Sequence, residues 1–188
     1  MVIAQGTTDA TLTSDDVRQL LARACDPLAL DGKRVLVIIP DGTRTAPTPL
    51  LFRLLYDVIG HRVDRLDYLI ALGTHPPMSE EAISALAGVS PVERAEHYPN
   101  VRIFNHRWDL PESLQQIGVI ARDETAQLTN GLLVDEVPVV LNRLIFDYDQ
   151  LLIFGPVFPH EVVGFLEGNM FGASSRSRVY GGLGARLR

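Results

Sequence analysis

Four short polar segments hold most of the side chains in this sequence that could do chemistry. They are Asp41-Gly42-Thr43-Arg44, Gly73-Thr74-His75-Pro76-Pro77, Asn105-His106 and Pro159-His160. In the first, Gly42 permits a tight turn, Thr43 offers a hydroxyl and an N–H, and Arg44 offers a planar fork suited to a carboxylate or phosphate. The same residues also read as a strand-end turn in which Asp41 and Arg44 pair with each other. His75 is followed by two prolines, which fix the backbone and remove donors, so its geometry is held. His160, between Pro159 and Glu161, has the same character. Imidazole titrates near neutrality, so two held histidines suit proton transfer. Either one alone also reads as a surface or turn-bonded residue. His106, beside Trp108 and Asp109, reads as a structural hydrogen-bonding residue, and His61 and His97 as solvated ones.

Several other chemistries lack their residues. There is no HxxH, HExxH or paired-cysteine pattern, so a dedicated zinc site is not expected. No GxGxxG follows the first strand and no Walker sequence occurs, so a dinucleotide or P-loop site is not expected either. A net charge of −6 over 188 residues, with Lys33 the one lysine, argues against a nucleic-acid partner. Cys25 is the one cysteine, which excludes an internal disulfide and fits a reducing compartment. No run approaches the length of a membrane span, and the start carries no basic n-region. The expectation is a cytoplasmic protein with no membrane partner.

The polar segments must be positioned by regular elements, and the pattern supplies them. Thr13 stands three residues before Asp16, ahead of apolar residues at helical spacing, and marks a helix start. Residues 34–39 carry a continuous apolar run from Val35 to Ile39, the mark of a strand buried on both faces. A helix from Leu50 to Ile59, ended by Gly60, leads to a strand over 66–72. Ser79-Glu80-Glu81 opens a helix reaching about Ala87. A strand over 101–104 follows, then a choppier stretch from Leu114 to Val140 that suggests small inserted strands, and a last strand over 150–154. Strands alternating with helices predict an α/β domain with a largely parallel sheet, helices on both faces and a small inserted β segment. Each polar segment follows the C-terminal end of a strand, where open parallel sheets bind ligands.

Taken in order, these segments resemble the nickel-dependent lactate racemase family. Its pattern runs D-x-T-R, then G-T-H-x-P, then N-H-x-x-D, and closes with G-x-x-x-P-H-E-x-x-G-F-S-G-G-N-K. This chain gives Asp41 to Arg44, Gly73 to Pro77, Asn105 to Asp109, and Gly155 through Phe165 with Pro159-His160-Glu161 inside. The match spans about residues 33–165; each piece is short, but four in the right order are specific. The resemblance implies a nickel-pincer nucleotide that accepts and returns hydride at the α-carbon of a small 2-hydroxyacid such as lactate. It implies His75 and His160 as the acid/base pair, one for each enantiomer. It further implies that Asp41, Gly42, Thr43 and Arg44 contact the cofactor and that Arg44 holds the substrate carboxylate.

The resemblance also breaks. Where the family continues S-G-G-N-K after Gly-Phe, with the lysine joined to the cofactor, this chain reads Leu166-Glu167-Gly168-Asn169-Met170. Methionine has no amine, and no histidine follows His160 to match the family's nickel ligand. A second domain that closes over the substrate has no counterpart. The sequence therefore divides into a loose segment over 1–12, a racemase-like N-terminal domain over 13–165, and an off-pattern, disordered tail over 166–188. A break this sharp points to a shifted reading frame or truncated gene, and to a chain that is incomplete and inactive as written. Two alternatives remain: a cofactor-independent two-base isomerase, or an inactive small-ligand or partner-binding module that kept the fold.

Overall fold

The computed structural model describes residues 3–6, 8–73, 75–156, 158–160 and 164–166. Its elements in chain order are α1 (Ser14–Cys25), β1 (Arg34–Pro40), α2 (Thr48–Ile59), β2 (Arg65–Ala71), α3 (Glu80–Ala87) and α4 (Pro91–His97). Then come β3 (Ile103–Asn105), β4 (Leu114–Ile120), α5 (Arg122–Leu128), β5 (Val137–Asn142), β6 (Gln150–Ile153), β7 (Phe158–His160) and β8 (Gly164–Leu166). Short 3-10 turns lie at Asp26–Leu28, Pro111–Ser113 and Arg143–Asp147.

The main sheet has the order β3-β2-β1-β6, every neighbour parallel. Six of the seven residues of β1 are buried, as a strand with both faces covered requires. Alternation then sorts side chains by face. Val35, Val37 and Ile39 of β1, with Leu66, Tyr68 and Ile70 of β2, meet Cys25 of α1, Phe52, Leu55 and Ile59 of α2, and Ile83 and Ala87 of α3. Leu36 and Leu69 point the other way, to Leu141, Ile145 and Tyr148. The α/β architecture with a mostly parallel sheet is as the sequence indicates. Its two faces are covered unequally, by α-helices on one side and by the end of β5 and a 3-10 turn on the other.

Local signals explain the helix starts. Thr13 and Asp16 form a reciprocal capping box on α1, with the Thr13 N–H donating to Asp16 Oδ2 at 2.8 Å. Ser79 and Ser90 cap α3 and α4 through their hydroxyls. Helix α4 was not expected, although Ser90-Pro91 with Glu93 carries a cap, a proline in the first turn and an early acid. At the end of α3, Gly88 has φ +67°, and a Cβ there would fall 2.5 Å from Pro49 Cβ. Glycine is needed both for the left-handed turn and for the approach to α2.

The inserted segment is an antiparallel ribbon, β4 with β5, whose register shifts between Gln116 and Gly118. Between its strands lies α5, which has no side-chain cap and whose start is marked only by Asp123 and Glu124 in its first turn. Strands β7 and β8 form a separate two-stranded antiparallel pair. Residues 167–188, on which most of the off-pattern tail falls, lie outside the described residues. Residues 3–6 and 8–12 form neither helix nor strand. Among the described residues, no helix is long and apolar enough to cross a membrane.

A buried ionic brace ties the strands beneath the site. Asp67 of β2 is 0 % exposed and accepts from Arg102 N at 2.8 Å, Nε at 3.0 Å and Nη2 at 2.8 Å. The Tyr148 hydroxyl donates to the same carboxylate at 2.6 Å. Burial, then this carboxylate, raises the Tyr148 pKa, so its phenol stays a donor. Asp149 accepts from the Arg34 backbone N–H at 2.9 Å and from its guanidinium, pinning the start of β6 to that of β1. Asp147-Tyr148-Asp149 thus serves as the polar entry to a strand.

Candidate functional site

Because β1, β2 and β3 run parallel, the segments that follow them emerge at one edge. The Asp41 turn and the His75 turn are directly joined there: His75 Nδ1 hydrogen-bonds Asp41 Oδ2. Gly73, with φ +60°, makes the left-handed step that brings His75 back toward β1, and the His75 N–H donates to the Leu72 carbonyl at 2.9 Å. Asp41 is 6 % exposed, while the His75 side chain is 52 % exposed. The carboxylate is therefore fixed and the ring is open.

Asp41 is held from the other side as well. Its Oδ1 accepts from the Thr43 N–H at 3.0 Å and from the Thr43 hydroxyl. This is an Asx-type turn, in which the side chain closes the backbone two residues on. Burial pushes the Asp41 carboxyl pKa up, but the bonds from Thr43 and His75 outweigh it and leave the group lower than an ordinary aspartate. It is a carboxylate across the neutral range. The pairing of Asp41 with its neighbour Arg44, one of the two readings of the sequence, is replaced here: the partners of the carboxylate are Thr43 and His75.

The segment after β3 braces the same corner. Asn105 brackets Met78 just past the His75 turn, accepting from its N–H at 3.0 Å and donating to its carbonyl at 3.0 Å. Trp108 Nε1 donates to the His75 carbonyl at 3.1 Å. Neither contact was foreseen from the sequence. The N-H-x-x-D segment marked the place, but nothing in it names Met78 or the His75 backbone as partners.

His106 occupies a different environment. It is 1 % exposed, and the Asn142 amide lies 2.8 Å from its Nδ1. The Asn142 carbonyl oxygen accepts from the Leu144 N–H at 2.9 Å, so its nitrogen faces the ring and donates. That assigns the imidazole proton to Nε2, which is buried without a partner among the described residues. Burial lowers the His106 pKa, opposed by Asp109, and keeps the ring neutral. The structural role read from the sequence fits these contacts.

The remaining candidates are placed as follows. Gly42 and Thr43 form the turn just described, and Arg44 is exposed, with its N–H 3.3 Å from the Asp41 carbonyl. The backbone of His160 lies in β7, paired with Gly164, and its side chain falls outside the described residues. Thr74 lies outside them too. Among the described residues, no three His, Cys, Asp or Glu side chains gather as a metal-ligand set. The structure thus joins three of the four polar segments and makes Asp41 and His75 a hydrogen-bonded pair.

No curated protein matches the chain. A crystal structure of a Thermotoga maritima protein, determined by a structural genomics consortium, superposes with a TM-score of 0.70 at 32% sequence identity. The match covers 82% of this chain and 36% of that one, so the chain spans about a third of that relative's length. The family described as lactate racemase N-terminal domain matches residues 17–179, which include all four polar segments. The chain belongs to the lactate racemase N-terminal domain family.

Proposed function

We propose that this chain is the acid/base-bearing part of a lactate-racemase-like racemase or epimerase of small 2-hydroxyacids. The observation that carries the reading is the Asp41–His75 pair. A buried carboxylate, fixed by Thr43, holds Nδ1 and leaves Nε2 of a half-exposed ring to exchange a proton with a ligand. The carboxylate orients the ring, as in other carboxylate–histidine pairs. Arg44, three residues on in the same turn, supplies a fork for the substrate carboxylate. His160 is the second acid/base, serving the opposite enantiomer.

The nickel-pincer nucleotide of the family supplies hydride acceptance at the α-carbon. Its covalent attachment does not fit the residues present. Lys33 immediately precedes β1, whose seven residues span roughly 23 Å at about 3.3 Å each, and it lies at the edge opposite Asp41. Met170 stands at the attachment position and carries no amine. Proton handling at His75 is accordingly the chemistry assigned to the chain itself. The same misfit favours one alternative, an inactive module that binds a small hydroxyacid without converting it.

The test is chiral chromatography of L-lactate incubated with chain purified from a nickel-replete host, alongside its nickel content. Appearance of D-lactate, lost in His75→Ala, supports the racemase reading. Lactate binding that depends on Arg44, without conversion, establishes the binding module. Solvent deuterium entering the α-carbon without nickel would instead establish a two-base isomerase.

A further inference from the structure

The turn that carries His75 is poorly able to hold itself. Gly73 is in the left-handed region, which glycine enters freely, and Pro76 and Pro77 have no N–H to donate. Among the described residues, four backbone groups between Gly73 and Met78 are hydrogen-bonded. One bond is local, from the His75 N–H to the Leu72 carbonyl. The other three go to two side chains at the end of β3 and just beyond it. The His75 carbonyl accepts from Trp108 Nε1, the Met78 N–H donates to Asn105 Oδ1, and the Met78 carbonyl accepts from Asn105 Nδ2.

These two side chains reach out from anchored backbone. Asn105 pairs with Ile70 of β2, and the His106 N–H donates to the Ile70 carbonyl at 3.0 Å. The Asn142 amide then holds the His106 ring from the other side. What Asn105 grips is tied in turn to the Asp41 segment: a Cβ on Gly42 would lie 4.0 Å from Met78 Cε, so the Met78 methyl rests beside Gly42. The His75 turn is thus clamped from β3 against the turn that follows β1.

The clamp bears on which ring nitrogen of His75 is basic. Asp41 is a carboxylate and can only accept, so in the neutral ring its bond to Nδ1 requires the proton there and leaves Nε2 with a free lone pair. A half-exposed ring has little packing of its own to keep that contact. The backbone of the turn sets where the ring starts from, and most of that backbone's partners are Trp108 and Asn105.

We propose that Trp108 and Asn105 are positioning residues for His75: through the backbone of its turn they keep Nδ1 on Asp41 and Nε2 open to a ligand. This rests on the reading of His75 as an acid/base and adds the residues that make one nitrogen the basic one.

The tautomer ratio of the neutral His75 ring, read from its ring-nitrogen NMR resonances in alkaline solution, tests this on the chain as it is. The parent should hold the proton almost wholly on Nδ1, and Asp41→Ala gives the ratio of an unheld ring. Trp108→Phe, which removes one N–H and keeps an aromatic ring, should lower the ratio of Nδ1–H to Nε2–H about tenfold, the worth of one hydrogen bond to a charged group. Ile59→Val, a mild core truncation at the far end of α2, should leave the ratio unchanged. An unchanged ratio in folded Trp108→Phe, or the same fall in Ile59→Val, would overturn the proposal. Should Trp108→Phe fail to fold, Asn105→Ala decides by the same ratio. The readout needs neither nickel nor turnover. A tautomer shift without any lactate conversion would therefore count against the racemase reading and leave the positioning role standing.

Discussion

His75 and His106 stand just beyond the ends of neighbouring parallel strands, and their surroundings put one side chain to opposite uses. His75 lies on a glycine turn, half-exposed, with Nδ1 on the Asp41 carboxylate. His106 is buried, with Nδ1 facing the Asn142 amide. A carboxylate partner fixes the ring and an open Nε2 can reach a ligand; burial beside an amide keeps the other ring neutral. Position at a strand end makes a histidine a candidate. Partner and exposure decide which candidate can exchange protons.

The sharpest way to break this contrast is to remove each ring in turn. In a full-length version restored with the family's lysine, with L-lactate conversion as the readout, His75→Ala should lose about 10²–10⁴-fold, the usual cost of an acid/base. His106→Gln should stay within a few-fold of the parent. Comparable losses in both variants would erase the distinction. Next in size is the brace beneath both histidines. Asp67→Ala leaves Tyr148 unpaired in the interior and frees Arg102, and should cost about 3 kcal/mol in urea unfolding. A loss under about 1 kcal/mol would make that cluster no stronger than a surface ion pair.

His106→Ala should cost about 2 kcal/mol, since it opens a cavity and strands the Asn142 amide. The smallest effect is in pH dependence. Because the folded pKa of His106 is depressed, the folded state binds fewer protons than the unfolded one as pH falls below about 6.5. His106 therefore contributes stability that is present above that pH and lost as pH falls through its lowered folded value. Asp41, also depressed, adds a separate loss, below about pH 4. Unfolding free energies between pH 7 and 5 should decline in the parent and less in His106→Gln. Parallel curves would show that burial does not set the charge of His106.

Much of this architecture was legible because it depends on neighbours in sequence. The Thr13 box on α1, the Ser79 cap on α3 and the buried run in β1 are local patterns, and the structure contains each. Helix α5 has no cap, and two acids in its first turn, Asp123 and Glu124, are a weak signal by themselves. Helix α4 carries its signal in Ser90-Pro91 and Glu93, a cap too short to stand out without an apolar stripe behind it. At the site, residue types and order picked out Asp41, His75 and the Asn105-His106 segment. They did not reveal that Asp41 would turn from Arg44 to His75, thirty-four positions away.

By itself, then, the sequence determined most of the elements, the parallel sheet and the strand-end positions of most of its polar residues, since caps, periodicity and turn residues act over a few positions. Tertiary structure decided which of those residues face one another and which are covered. The parallel pairing of β1 with β2 sets the Asp41 turn against the His75 turn. The packing of β5 and the turn after it covers His106 and supplies Asn142. Exposure and hydrogen-bond partner are properties of the assembled sheet edge, and they are what separate a proton-transfer histidine from a structural one.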